Sequence, residues 1–228
     1  MAIEDDGAVF DRLLRTRRSV RGFDPTPIPP AELHRLFAMA QQAPSNCNAQ
    51  PWVVHVVSGP AARRMRAALL EATEEGAPLT PDFPLTGSYP GVYRDRQIGA
   101  AKALFAATGV ARDDLEARRR SYLRNFAFFD APHAAFLFLP DWAGFREAAD
   151  CGMYAQSLML ALTACGYASC AQGALSHHAA LVRELLGVAD DMRLLFGIAF
   201  GREDEAHPAN QARTTRLPVD EAIVFHDE

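Results

Sequence analysis

Residues 134–139, Ala134-Ala135-Phe136-Leu137-Phe138-Leu139, form a run without a single polar side chain. Strand side chains alternate between faces, so an unbroken apolar run marks a strand buried on both. Six residues later, the stretch from Phe145 to Cys165 is rich in Ala, Leu and Met and apolar nearly all round. A helix of that kind is buried on most sides, either centrally or in a subunit interface, and Gly166 supplies its stop. A chain of 228 residues can bury a core large enough to hold both.

The remaining pattern fills in around them. Helical spacing marks Val9 to Arg15, a helix from just after Pro30 that stops before Pro44, Ala61 to Ala72, Asp95 to Ala107, Asp113 to Phe128, and His177 to Leu186. Strands are predicted at Trp52–Val57, with Trp52 anchoring it in the core, then into Cys170, at Met192–Phe200 and at Ala222–Phe225, the last one pairing across a dimer. Residues Gly76 to Tyr93 carry Pro78, Pro81, Pro84 and Pro90 and read as a long loop, a type that is usually a lid or binding segment. The mixture predicts an α+β or αβ sandwich. It forms one domain over residues 1–228, with a lid-like excursion at 76–128 and an extended tail at about 202–228.

Charge and cysteine usage exclude several classes. A net charge of −5 gives no reason to expect nucleic acid as a partner. No segment approaches the ~18 apolar residues of a membrane span. The acidic start Met1-Ala2-Ile3-Glu4-Asp5-Asp6 lacks the features of a signal peptide, so a cytoplasmic location is predicted. Cys47, Cys151, Cys165 and Cys170 match no zinc spacing and read as free thiols. No metal is predicted, and His177-His178 reads as a surface pair.

Two polar segments carry the chemistry. Arg17-Arg18-Ser19-Val20-Arg21 places three guanidinium groups and a hydroxyl within five residues. Ala43-Pro44-Ser45-Asn46-Cys47-Asn48-Ala49-Gln50-Pro51-Trp52 packs amides, a hydroxyl and two prolines between a helix and a strand. Guanidinium forks suit a phosphate dianion, while Ser, Asn and Gln suit a polyol and the edge of a heteroaromatic ring. Taken singly, the first reads equally as a solvated helix end and the second as a polar turn. Arg213-Thr214-Thr215-Arg216-Leu217-Pro218 adds two arginines, and Cys170-Ala171-Gln172-Gly173-Ala174 adds a small-residue turn that a flat ring can approach.

These four segments, in this order, resemble the FMN site of the FMN-dependent nitroreductase family, and the resemblance covers essentially the whole chain. It implies a three-layer αβα sandwich with a small, mainly antiparallel sheet and an intertwined homodimer. Position by position, Arg17 and Arg216 resemble the arginines on the FMN phosphate, and Arg18 and Ser19 those along the phosphate and ribityl chain. Arg21 stands where the family places a cation near the N1/O2 edge of the ring. Pro44, Ser45, Asn46 and Asn48 resemble residues that reach FMN from the second subunit, with Gln50 as a ribityl contact. Gln172, Gly173 and Ala174 resemble the segment beside the dimethyl-isoalloxazine and N5. Ala171 stands where many relatives have proline, and Thr214 where some have lysine, with Arg213 one residue earlier as a substitute.

The implied activity is oxidoreduction. NAD(P)H reduces FMN, and a nitroaromatic or quinone acceptor then takes the electrons in ping-pong fashion. The cofactor performs the redox chemistry, so no catalytic side chain is assigned. Two alternatives remain. One is a specialised reaction of the same superfamily (reductive dehalogenation, enone reduction or flavin fragmentation). The other is a non-catalytic binder of a phosphorylated ligand.

Overall fold

A computed structural model describes residues 5–226. Four strands form one sheet: β1 (Val53–Ser58), β2 (His133–Pro140), β3 (Ala168–Gln172) and β4 (Met192–Gly201), in the order β1-β2-β4-β3 and antiparallel throughout. The apolar run lies in β2, at the centre, and every residue from His133 to Leu139 is buried. Its side chains alternate as the pleat requires. Ala134, Phe136 and Phe138 enter one core, and Ala135, Leu137 and Leu139 the other.

Helices cover both faces. On the first, α3 (Gly59–Glu74) contributes Ala62, Met65 and Leu69, and α7 (Ala179–Leu186) contributes Ala179 and Val182. On the second, α2 (Pro30–Ala40) contributes Leu36 and Ala40. There the long α6 (Phe145–Ala164) buries Cys151, Tyr154, Ala155, Leu158 and Leu162. Each fully buried Leu or Phe contributes about 1.5–3 kcal/mol of transfer free energy, so the two-faced β2 is the seam of the fold. The result is a three-layer αβα sandwich. Trp52 stacks on Tyr154 at 4.9 Å and donates to Gln41 Oε1 at 3.1 Å, which fixes the entry to β1.

Several sequence expectations need correction. The helix expected from Asp113 to Phe128 spans only Leu115–Leu123 (α5). Phe128, Phe129 and Asp130 follow with φ of 55°, 52° and 71°, a left-handed turn that two buried phenylalanine rings hold in place. Ala222–Phe225 forms no strand: Val219–Ala222 is a short helix, and Val224 and Phe225 are each 74% exposed. Its residues have strand propensity, but no strand of the sheet lies beside it. His178 is buried against Thr73 Oγ1 at 3.1 Å, not on the surface. In the stretch expected as a loop over Gly76–Tyr93, Thr80 N donates to His177 O at 2.8 Å, and Asp82 holds both Leu194 N and Arg183. From Gly91 the chain is already helical (α4, Gly91–Thr108), and α4 buries no residue.

Candidate functional site

The site begins where α1 (Asp6–Thr16) ends. The chain becomes extended at Arg17, and Ser19 pairs with Ser169 in a parallel bridge, with Val20 N donating to Ser169 O at 3.1 Å. The basic segment is thereby laid along the free edge of β3. It then crosses to the exit of β4, where Phe23 pairs with Glu203 and Asp204 N donates to Gly22 O at 3.1 Å. A Cβ on Gly22 would stand 2.2 Å from the His207 ring, so only glycine permits this crossing.

Arg21 is held at both ends of its backbone. Its N–H donates to Asn210 Oδ1 at 2.7 Å, and its carbonyl accepts from Arg124 Nη2 at 2.9 Å. Its guanidinium lies 6.0 Å from the centroid of Phe129, in the left-handed turn. The tail is drawn to the same place, because Arg213 Nη1 donates to Asn210 O at 2.6 Å.

The outcome is a cleft of about 550 Å³. Arg17, Arg18, Ser19 and Arg21 line one side, and Arg213 and Arg216 come from the tail. Arg18 differs from the others, because both its terminal nitrogens are engaged by the Glu203 carboxylate, one at 2.8 Å. Among the described residues, Arg17, Arg21, Arg213 and Arg216 pair with no carboxylate. Arg17 is held below the ordinary arginine range, first by burial and then by the positive charge of Arg216. Burial and a neighbouring cation both disfavour the charged form, and an anionic ligand would offset both.

Not every candidate residue joins the cleft. The direction of the Ser19–Ser169 bridge carries Arg21 toward the Ala171 end of β3. There Gly173 is exposed and Ala174 half-buried, while the Gln172 side chain turns inward and donates to Asn125 O at 2.9 Å. Pro44, Ser45, Asn46, Asn48 and Gln50 lie outside it. Asn46 N is tied to the buried Asp150 at 3.1 Å, and Ser45 Oγ accepts from Gln50 N at 2.9 Å. Cys47, Asn48 and Gln50 all have positive φ (49°, 57° and 46°), an uncommon cluster for residues with a Cβ.

Other residues escaped the sequence reading. Gln156 lines the cleft from α6, and its signal was available as the one amide in a helix rich in Ala, Leu and Met. Leu14 and Ala100 also line it, as do Asp11 and Arg15, an exposed ion pair at 2.7 Å on α1. Asn210, which organises both arginine segments, had no local signal at all. Cys170 lies beneath the segment with its thiol pushed up by burial, so it is inert. The described residues contain no cluster suited to a metal ion.

A model of the nitroreductase family matches residues 14–202. The chain belongs to that family. The match takes in the Arg17–Arg21 segment, the 44–50 loop and the Gln172 turn, and stops short of Arg213 and Arg216. Among members of the nitroreductase family, the chain is 42% identical over 216 residues to nitroreductase NfnB of Mycolicibacterium smegmatis, covering 94% of this chain and 92% of that protein. It is 34% identical over 229 residues to the chloronitrobenzene nitroreductase of Comamonas testosteroni, covering 96% and 97%. The crystal structure of the FMN-dependent nitroreductase NfnB from Mycobacterium smegmatis in complex with NADPH superposes with a TM-score of 0.93. It is 41% identical, and the match covers 97% of this chain and all of that one.

Proposed function

We propose that this chain is an FMN-dependent oxidoreductase that draws electrons from NAD(P)H and reduces nitroaromatic or quinone acceptors. The observation that carries the reading is the pairing of Arg17 with Arg216. Two fixed cations stand close enough to repel, and among the described residues neither is ion-paired with a carboxylate. A phosphate dianion relieves that repulsion and satisfies both forks. Ser19 and Gln156 add the hydroxyl and amide that a polyol needs, and Arg21 supplies a fixed cation further along the same wall. The donor set therefore fits FMN.

When bound, FMN supplies the two-electron chemistry between the nicotinamide and the acceptor. The protein's part is to bind, orient and tune. Arg17 and Arg216 hold the phosphate, with Arg213 beside them. Arg21, rigid through Asn210 and Arg124, stabilises negative charge at the ring edge. Helix α4 buries nothing and lends Ala100 to the cleft, which suits it as the cover over the acceptor. The names of two relatives, a chloronitrobenzene nitroreductase and a nitrobenzene nitroreductase, support that acceptor class.

The working form is a homodimer in this reading. The 44–50 loop is strained and exposed, and it lies outside the cleft of its own chain, so it serves the partner's cleft. Phe145 at 84% exposure and the tail residues Val224 and Phe225 supply apolar surface for the interface. Stable dimers of this kind bury on the order of 2,000 Å² or more. Light scattering tests the assembly, and an FMN-loaded, active monomer of 24.9 kDa overturns it.

An absorbance spectrum of the purified protein tests the chemistry. A yellow protein that bleaches anaerobically with NADPH or NADH supports the reading. A colourless protein with no affinity for added FMN overturns it.

A further inference from the structure

A second cleft, of about 660 Å³, lies on the other side of Arg21. Its walls continue those of the first. Helix α4 gives Ala100 to one and Thr108 to the other, and the segment after β4 gives Arg213 to one and His207 to the other. Arg21 lines both. The two clefts adjoin at Arg21, the residue assigned to the flavin ring edge.

The second cleft is cationic. Arg21, Arg120 and Arg124 line it beside the hydroxyls of Ser121 and Thr108. Its single lining carboxylate, Asp114, is already committed, because it accepts Ala117 N at 2.8 Å to cap α5. The neighbouring acids do not cancel the charge. Glu116 meets Arg120 at 3.4 Å with both side chains more than 60% exposed, a weak pair. Asp130 meets Arg124 at 3.2 Å while the same guanidinium holds the Arg21 carbonyl. His207 is held below its ordinary range by burial and then by Arg124, so the imidazole yields to the guanidinium nearby. The floor is Phe129, fixed in the left-handed turn.

We infer that this cleft receives the phosphate-bearing end of the electron donor, with Arg120 and Ser121 as the side chains that grip it. The inference rests on the functional reading above and names the donor's subsite. Arg21 lines both clefts, so a ligand in this one has one end beside the residue assigned to the flavin ring and its negative charge further off, at Arg120 and Ser121. A nicotinamide dinucleotide has that form. The volume is in the range of cavities that bury an extended ligand and exceeds what a single substituted benzene ring fills.

The test uses FMN-loaded protein and calorimetric titration with two probes, adenosine 2′,5′-bisphosphate and ADP. Variants are Arg120→Ala, Ser121→Ala and, as a charge control, Arg119→Ala. Arg119 is exposed on the same helix and lines neither cleft. A charge-assisted contact corresponds to a roughly tenfold or greater weakening when it is removed. Arg120→Ala should weaken at least one probe by about that factor, and the KM for the matching dinucleotide should rise in parallel. Arg119→Ala should change neither. Loss confined to the bisphosphate identifies the 2′-phosphate, and loss shared with ADP identifies the diphosphate. Wild-type protein that binds neither probe, or probe affinities untouched by Arg120→Ala, overturns the inference. So does a rise in KM confined to 4-nitrobenzoate, which would make the cleft an acceptor site. Failure of the functional reading itself is separate, since it appears as wild-type protein without bound flavin.

Discussion

Asn210 accepts the backbone N–H of Arg21 at 2.7 Å and donates to the carbonyls of Gly22 and Asp204, both at 2.8 Å. One buried amide therefore joins the N-terminal arginine segment to the chain leaving β4, across 189 residues of sequence. Its own carbonyl also receives Arg213. Both halves of the basic cleft meet at this residue, the Arg21 segment at its side chain and Arg213 at its main-chain carbonyl.

Asn210→Ala should therefore act on stability and cofactor binding together. It strands the Arg21 N–H, at a cost of roughly 1–3 kcal/mol where water cannot reach, and removes one of the two donors at each of the Gly22 and Asp204 carbonyls, which keep Asp204 N and His207 N. For a chain of this size, each kcal/mol shifts Tm by about 2–4 °C. A fall of several degrees, with weaker FMN binding, is expected from thermal melts and flavin titration. Asn210→Asp keeps the acceptor for Arg21 but loses the donor, so it should rescue little. An unchanged Tm in both variants would show that the tie is dispensable.

The phosphate clamp has the opposite relation to stability. Arg17→Ala or Arg216→Ala removes a charge-assisted contact of roughly 1.5–3 kcal/mol, so FMN affinity should drop by about one to two orders of magnitude. Burial and the Arg216 charge disfavour the charged form of Arg17 in the empty fold. The apoprotein should consequently melt no lower than wild type, and the double variant should purify largely without flavin. Retention of FMN at wild-type affinity in both single variants would remove these arginines from the site.

How much of this was legible in the sequence depended on the range of each interaction. The β2 run and α6 were legible because burial on two faces writes a local, continuous pattern. Arg17, Arg21, Arg213 and Arg216 were legible as chemistry but not as a cluster, since a bridge to Ser169 and a bond to Asn210 bring them together. The left-handed turn at Phe128–Asp130 was misread as helix because no glycine marks it; tertiary packing of the two rings overrides the local preference. That Ala222–Phe225 pairs with no strand of its own chain was not legible, because apolar, β-prone residues look alike whether they pair within a sheet or lie exposed for another surface.

His133 gives the fold a pH dependence separate from the site. It is buried at the start of β2, accepts Ile28 N at Nε2 (2.8 Å), and meets Ser58 Oγ at 2.6 Å through Nδ1. Accepting at Nε2 requires the neutral ring, and burial pushes its pKa from 6.5 down to about 4. Because the unfolded chain binds the proton more readily, this stabilising contribution is complete above about pH 6.5 and is lost as pH falls toward 4. Urea titrations of apoprotein should show stability declining over that window, with the slope reduced in His133→Gln. An identical slope in the variant would assign the acid sensitivity to other groups.

Arg21 tests the chemistry most directly. A fixed cation at the ring edge stabilises reduced, negatively charged FMN more than oxidised FMN, so Arg21→Ala should lower the midpoint potential. Loss of one partly buried charge interaction at an effective dielectric near 20 corresponds to roughly 2–4 kcal/mol. For a two-electron couple, about 1.4 kcal/mol equals some 30 mV, giving a drop of about 40–90 mV, reduced where solvent enters the vacated space. Arg21→Lys keeps the charge and should recover much of the potential. The backbone bonds to Asn210 and Arg124 survive either substitution, so the fold and oxidised-state FMN affinity should change less than in the phosphate-clamp variants. Spectroelectrochemical titration provides the measurement. A midpoint that stays put or rises in Arg21→Ala would move this guanidinium away from the N1/O2 edge.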